Sequence, residues 1–188
     1  MWKLRDVVIT VILSIVCGVI FRFWDVIAPF ITMAWVPGQG LISGLWWIAA
    51  TLIPYIIRRP GAAFVAEVVA AIIEFALASP YGVSGIYAGI IQGIGAEIAF
   101  MLFAWKKYNA PVLMLSGVLA GIGCIIQWYF VNGASKYSMA IILLYALCTV
   151  TSGAILGGLL PKWIGDALNR IGVVRNFEIG HANRRAAQ

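Results

Sequence analysis

Three glutamates lie within apolar runs that are long enough to cross a bilayer: Glu67, Glu74 and Glu97. The glutamines Gln92 and Gln127 occur in similar surroundings. An ionisable group at bilayer depth costs about 2.5 kcal/mol or more, so such groups usually face the protein interior and have a function. No Lys or Arg lies in the middle of these runs, so protonation or a ligand must compensate the acids. We expect all five side chains to contact a ligand, while Glu67 could equally cap a neighbouring helix.

The fourth apolar run carries a stripe of glycines bordered by two of these polar side chains. At about 100° per residue, Gly85, Gly89 and Gly93 follow one another along one face, between Gln92 and Glu97. Such a stripe is also typical of close helix packing in membranes. Because hydrogen-bonding side chains flank it on both borders, we interpret it as part of a ligand site.

Aromatic residues and prolines are concentrated in residues 24–40, between the first two apolar runs. We predict a long outer loop stiffened by Pro29 and Pro37, which acts as a lid with Trp35 as its main ligand contact and Gln39 as a second one. An interfacial tryptophan belt is the alternative explanation. The other aromatic candidates for ligand contact are Trp47, Tyr81, Tyr87 and Tyr145, and Trp128 and Tyr137 are further candidates for the aromatic walls.

The composition indicates the elements that position these residues. The 188 residues are 63% hydrophobic and 11% charged, with a mean hydropathy of +0.98, whereas soluble domains are about 45–50% apolar and about 25% charged. Six runs have the length of a membrane-spanning helix: 7–23, 41–57, 62–78, 84–105, 111–130 and 138–160. The sequence therefore predicts an all-α, polytopic membrane protein with six transmembrane helices in residues 1–161.

The distribution of basic residues predicts the orientation of these helices. Of the 13 Lys and Arg residues, all but Arg22 and Lys136 fall on one side of the predicted spans. The positive-inside rule therefore places both termini in the cytoplasm. We expect residues 162–188 to form a juxtamembrane tail, first a helix on the inner leaflet and then a disordered end. The net charge is +6, but the basic residues stand in small groups between the apolar runs. We therefore expect membrane lipid and no nucleic acid as a partner.

The cysteine pattern gives no indication of a cofactor. Cys17, Cys124 and Cys148 all lie inside apolar runs, and their number is odd. A disulfide framework or a metal site is therefore not expected, and we predict no cofactor.

Four stretches resemble the YkoE-type S components of energy-coupling factor (ECF) transporters, which are substrate-binding membrane subunits linked to thiamine and its hydroxymethylpyrimidine precursor. They are residues 35–40 (WVPGQG), 58–63 (RRPGAA) leading to Glu67, 79–82 (SPYG) and 92–97 (QGIGAE). The resemblance extends over essentially the whole chain. It implies the S-component fold, a location in the bacterial plasma membrane, and a vitamin pocket that opens outward between the first outer loop and helices 4 to 6.

The resemblance also implies docking to a transmembrane T subunit and two cytoplasmic ATPases. In agreement, the sequence contains no Gly-x-x-x-x-Gly-Lys-Ser/Thr phosphate loop of its own. Many S components dock through a stripe of alanines on helix 1. Here Thr10, Ser14 and Gly18 form a stripe of small residues at that position, and we predict that they form the docking surface.

Other functions are compatible with parts of the sequence. A proton-coupled small-solute carrier or channel could use the three glutamates as a relay, although no paired inverted halves are evident. An intramembrane serine protease would need a histidine base close to its serine. The only histidine, His181, lies in the predicted tail, on the opposite side of the membrane from Ser84. We therefore predict a protein that is not an enzyme, with the carrier or channel as the alternative function.

Overall fold

The computed structural model describes residues 2–180, which form a bundle of helices without a β-strand in that range. The all-helical prediction is thus confirmed. The α-helices are α1 (Leu4–Ala34), α2 (Gly38–Ile42), α3 (Ala49–Ile57), α4 (Ala62–Ala76), α5 (Val83–Leu102), α6 (Ala110–Phe130), α7 (Met139–Ala154) and α8 (Leu160–Arg170). Short 3₁₀ segments occupy Ser43–Trp47 and Ala134–Lys136, and a π-helical turn occupies Ile155–Leu159.

Within the described residues, five helical segments are long and apolar enough to cross a membrane. They are Leu4–Ala34, Gly38–Ile57, Val83–Leu102, Ala110–Phe130 and Met139–Arg170. The remaining predicted span, 62–78, corresponds to α4, which has 15 residues. At 1.5 Å per residue this helix is about 22 Å long, shorter than the hydrocarbon core of about 30 Å. That the chain has six membrane-spanning helices therefore remains a prediction.

Helix α1 is longer than the first apolar run. It has 31 residues and continues through Pro29 to Ala34, so only residues 35–37 connect it to α2. The prediction of a long outer loop over residues 24–40 is wrong. Proline is tolerated in a membrane-spanning helix where neighbouring groups satisfy the freed backbone atoms, and it does not mark the end of α1.

The second span is interrupted by the 3₁₀ segment Ser43–Trp47, which separates α2 from α3. Non-helical backbone at membrane depth is tolerated only where it is buried in protein or lines a cavity. Trp47 is fully buried here, because Gly121 and Gly153 allow a close approach. A Cβ atom at these two glycines would lie 3.3 and 3.4 Å from the indole ring.

The small-residue stripe of α1 lies inside the bundle. Thr10, Ser14 and Gly18 are all buried, and a Cβ atom at Gly18 would lie 2.6 Å from the carbonyl oxygen of Ala70 on α4. Gly18 therefore allows α1 and α4 to approach each other closely. All three side chains are buried within the bundle, which argues against the predicted docking surface.

The end of the bundle that carries the basic loops is held together by polar contacts between α3 and α8. The helix that begins at Met139 runs on to Arg170, so the first part of the predicted tail extends the last span. The Tyr55 hydroxyl donates to Asp166 Oδ1 at 2.5 Å. Beyond α8, Val174 and Ile179 are fully buried. The predicted disordered end and His181 fall on residues 181–188, outside the described part of the chain.

Candidate ligand-binding cavity

A cavity lies within the bundle, near the end where α4 and α6 finish and α5 and α7 begin. Its empty space measures about 680 Å³, including the part that is open to solvent. Side chains from the interrupted second span, α4, the α4–α5 loop, α5, α6 and α7 form its walls. The basic loops at residues 58–59 and 106–107 lie at the opposite end of the bundle. The cavity and the basic loops thus occupy opposite ends of the molecule.

The cavity brings together five of the predicted polar residues, namely Gln39, Glu67, Glu74, Gln92 and Gln127. They come from four different helices, so no local pattern in the sequence shows that they meet. Gln127 is partly committed to the protein, because its Nε2 donates to the Ser84 carbonyl oxygen at 3.0 Å. The cavity therefore offers both carboxyl and amide groups to a ligand.

Glu67 is buried at the junction between α4 and the interrupted second span, with 1% of its surface exposed. The backbone N–H of Ala50 donates to its Oε2 at 2.9 Å. This N–H is available because the first N–H groups of a helix, here α3, have no partner within that helix. The Oε1 atom has no hydrogen-bond partner among the described residues. Glu67 therefore caps a helix with one oxygen and keeps the other for a further donor.

Glu74 belongs to a second polar group that includes a residue missed by the sequence analysis, Asp25. Ser79 Oγ donates to Asp25 Oδ2 at 2.7 Å and lies 3.3 Å from Glu74 Oε1. Asp25 Oδ1 accepts a hydrogen bond from Trp46 Nε1 at 3.1 Å. Asp25 was overlooked because residues 24–40 were predicted to form a loop. The apolar residues that follow it as far as Ala34 were the signal that α1 continues.

Aromatic side chains form much of the remaining wall. The predicted aromatic residues that line the cavity are Trp47, Tyr81, Trp128 and Tyr145, and Trp46 joins them. The rings of Trp128 and Tyr145 are stacked with centroids 3.9 Å apart. Burial, aided by the nearby acids, raises the pKa of Tyr81 to about 12, so its phenol stays protonated at neutral pH. The walls thus combine flat apolar faces with neutral hydroxyl groups.

Glu97 lies at the opposite end of the bundle and does not line the cavity. Its Oε1 accepts hydrogen bonds from the Gly61 N–H at 2.7 Å and the Trp105 indole at 2.6 Å. Its Oε2 accepts from the N–H groups of Ala63 at 2.9 Å and Phe64 at 3.4 Å. Gly61 has no side chain with which to cap α4, and the carboxylate of Glu97 supplies that cap from α5.

Three predicted aromatic residues lie outside the cavity walls, namely Trp35, Tyr87 and Tyr137. Trp35 is 47% exposed and follows the end of α1, and Tyr87 is 61% exposed on α5.

The glycine stripe of α5 has two roles. Gly85 and Gly89 line the cavity, whereas a Cβ atom at Gly93 would lie 3.2 Å from both Phe64 Cα and Glu67 Cβ on α4. The stripe therefore serves helix packing as well as the cavity.

Comparisons with known proteins identify the family. A family model described as "ABC-type cobalt transport system, permease component" matches residues 5–123. YkoE of Bacillus subtilis (strain 168), named as an HMP/thiamine permease, is 39% identical over 184 residues, which cover 95% of this chain and 90% of YkoE. A solved structure titled "Crystal structure of an S-component of ECF transporter" superposes with a TM-score of 0.97 at 34% identity, covering 100% of this chain and 95% of that chain.

The chain belongs to the S components of ECF transporters. The resemblance noted in the sequence is thereby confirmed. This S component is a multi-pass protein of the cell membrane and a transporter subunit rather than an enzyme. Family membership favours this function over the proton-coupled carrier or channel that the sequence left open.

Proposed function

We propose that this S component captures thiamine or its hydroxymethylpyrimidine precursor from outside the cell for ATP-driven import. The observation that carries the proposal is the chemistry of the cavity. Glu67, Glu74 and three glutamines line it, and no Lys or Arg side chain is found among its described walls. The relative YkoE is named as an HMP/thiamine permease, and the lining groups match that class of ligand.

The two halves of thiamine require different partners. Its aminopyrimidine presents an amino group that donates and ring nitrogens that accept, which suits the unpartnered oxygen of Glu67 and the amides of Gln92 and Gln127. Its thiazolium carries a positive charge, which carboxylates and aromatic faces attract. The stacked pair of Trp128 and Tyr145 provides such a face. We therefore assign ligand contact to the predicted residues that line the cavity.

The proposed direction of capture follows from the basic residues. Arg58, Arg59, Lys106 and Lys107 lie at the end of the bundle opposite the cavity, and the positive-inside rule assigns that end to the cytoplasm. With α4 counted as a short sixth span, both termini are cytoplasmic and the cavity faces outward. This topology supports uptake from the outside.

The proposed partners are a transmembrane T subunit and two cytoplasmic ATPases. An ECF transporter needs a source of ATP hydrolysis, and this sequence carries no Gly-x-x-x-x-Gly-Lys-Ser/Thr motif. Since Thr10, Ser14 and Gly18 are buried within the bundle, we assign docking to surfaces other than that stripe.

Calorimetry on the purified, detergent-solubilised S component tests the proposal. Thiamine and hydroxymethylpyrimidine are titrated separately, with riboflavin as a control vitamin that lacks both the aminopyrimidine and the cation. Mass spectrometry of the denatured protein identifies any small molecule carried through purification. We expect saturable binding of thiamine or the pyrimidine and no binding of riboflavin. Absence of binding for both pyrimidine compounds would overturn the proposal.

A further inference from the structure

Asp25 is a buried carboxyl that contacts the walls of the cavity from behind. It is 2% exposed and lies on α1, which does not itself provide any of the lining side chains. Its Oδ1 accepts from the indole N–H of Trp46 at 3.1 Å, and its Oδ2 accepts from the Ser79 hydroxyl at 2.7 Å. Trp46 lies in the 3₁₀ segment and Ser79 in the α4–α5 loop. One side chain therefore connects three elements of the fold.

The connection continues from Ser79 into the cavity. Ser79 Oγ lies 3.3 Å from Glu74 Oε1 and accepts from the backbone N–H of Tyr81 at 3.4 Å, and both Glu74 and Tyr81 line the cavity. Asp25 thus acts, directly or through Ser79, on Trp46, Glu74 and Tyr81. Each of these contacts ends on a residue of the wall.

The α4–α5 loop needs such a connection because its backbone is strained. Ala78 has a φ of +59°, in the left-handed region that residues with a Cβ rarely adopt. A conformation of this kind persists only where its surroundings hold it in place. Arg22 Nε donates to the Leu77 carbonyl oxygen at 3.0 Å, so α1 holds the loop on both sides of Ala78.

We propose that Asp25 is a positioning residue for vitamin capture, which holds the Trp46 indole, the α4–α5 loop and the Glu74 carboxyl in the arrangement that the ligand meets. The proposal rests on the proposed function of the cavity. A binding site requires its contact groups to be fixed by a supporting layer of hydrogen bonds. When Asp25 is absent, Trp46 loses its acceptor and Ser79 is left with Glu74 alone, so part of the binding energy must be spent on ordering the wall.

Two substitutions that keep the number of side-chain heavy atoms test the role of Asp25. Asp25→Leu removes both acceptors, whereas Asp25→Asn keeps an oxygen for Trp46 and offers an amide to Ser79. With the fold checked by gel filtration and thermal unfolding, we expect about tenfold weaker thiamine binding for Asp25→Leu. Asp25→Asn should restore most of the affinity. Parent-like affinity in Asp25→Leu, or equal losses in both variants, would overturn the proposal.

A double-mutant cycle with Trp46→Phe shows whether Asp25 acts through the indole. Trp46→Phe removes the N–H donor but keeps an aromatic ring, and it also provides a test where Asp25→Leu fails to fold. We expect the combined loss of affinity to be smaller than the product of the single losses. Independent effects that multiply would overturn the proposal. A parent protein that binds neither thiamine nor the pyrimidine would overturn both this proposal and the proposed function, whereas a binding parent with unaffected variants overturns only the role of Asp25.

Discussion

Glu67 and Glu97 are both glutamates on apolar helices, but they differ in how far the protein satisfies them. Glu97 accepts four hydrogen bonds, three from the start of α4 and its cap and one from Trp105. Glu67 accepts one, from Ala50, and its second oxygen has no partner among the described residues. Glu67 is fully buried and Glu97 only partly, and we infer that the hydrogen-bond partners an acid already has separate a structural role from a binding role.

The largest expected effect is a loss of stability when the carboxylate of Glu97, which accepts four hydrogen bonds, is removed. Glu97→Leu leaves the N–H groups at the start of α4 and the Trp105 indole without an acceptor, which should lower the free energy of unfolding by about 3 kcal/mol. Thermal unfolding of the detergent-solubilised protein measures this loss. Glu97→Gln is the matched control, because it keeps one acceptor and should lose less. A fall in thiamine affinity at unchanged stability would show instead that Glu97 contacts the ligand.

Glu67→Gln should have its main effect on binding. The amide oxygen can still accept from Ala50, so the cap of α3 is preserved, but the carboxylate that we assign to the ligand is lost. We expect thiamine affinity to fall by about 1.5–3 kcal/mol, with a small change in melting temperature. Calorimetry on Glu67→Gln and Glu97→Gln in parallel checks the comparison. If the two variants lost the same affinity, the distinction between the two glutamates would fail.

Much of the architecture could be predicted from the sequence, because uninterrupted hydrophobicity and the family motifs are local signals. The helical character and the family were predicted in this way. Which faces meet could not be predicted. The stripe at Thr10, Ser14 and Gly18 is equally suited to an internal helix and to a partner subunit, and only the position of α4 distinguishes the two.

The candidate site was predictable in its residue types more than in its geometry. Eight of the predicted ligand residues line the cavity, because polar side chains in membrane helices tend to face inward. A helical wheel gives the direction of a side chain around its helix but not the group that it contacts. For this reason Glu97 was grouped with the ligand contacts. Asp25 was missed because Pro29 was given more weight than the apolar residues that continue α1 to Ala34. The 3₁₀ break before α3 depends on tertiary contacts, so Trp46 was missed.

Trp105→Phe sharpens the comparison by removing one of the four donors to Glu97. The indole N–H lies 2.6 Å from Oε1, and its loss leaves three backbone donors in place. We expect a loss of about 1 kcal/mol in the free energy of unfolding and no change in thiamine affinity. Thermal unfolding and calorimetry on the same preparation measure both quantities. Weaker binding without a change in melting temperature would contradict a purely structural role for this end of the bundle.

The smallest effect is expected at Trp35, which extends the comparison from acids to tryptophans. Trp35 is 47% exposed and lies outside the cavity walls, whereas Trp46 lines the cavity and is held by Asp25. A cation attracts an aromatic face only when the two are in contact. Trp35→Ala should therefore change thiamine affinity by no more than about twofold, since the contact energy of about 0.5–2 kcal/mol is not available to a distant ring.

Titrating both thiamine and hydroxymethylpyrimidine distinguishes a Trp35 without ligand contact from a Trp35 that acts as a lid. If the segment after α1 closes over bound thiamine, Trp35→Ala will weaken thiamine binding more than binding of the neutral pyrimidine, because only thiamine carries a fixed cation. Equal losses for the two ligands would indicate a steric cover rather than a cation contact. Parallel titrations of both ligands into Trp35→Ala and Trp46→Ala decide the question. A loss confined to Trp46→Ala would show that the tryptophan held by Asp25, rather than the exposed one, contributes to capture.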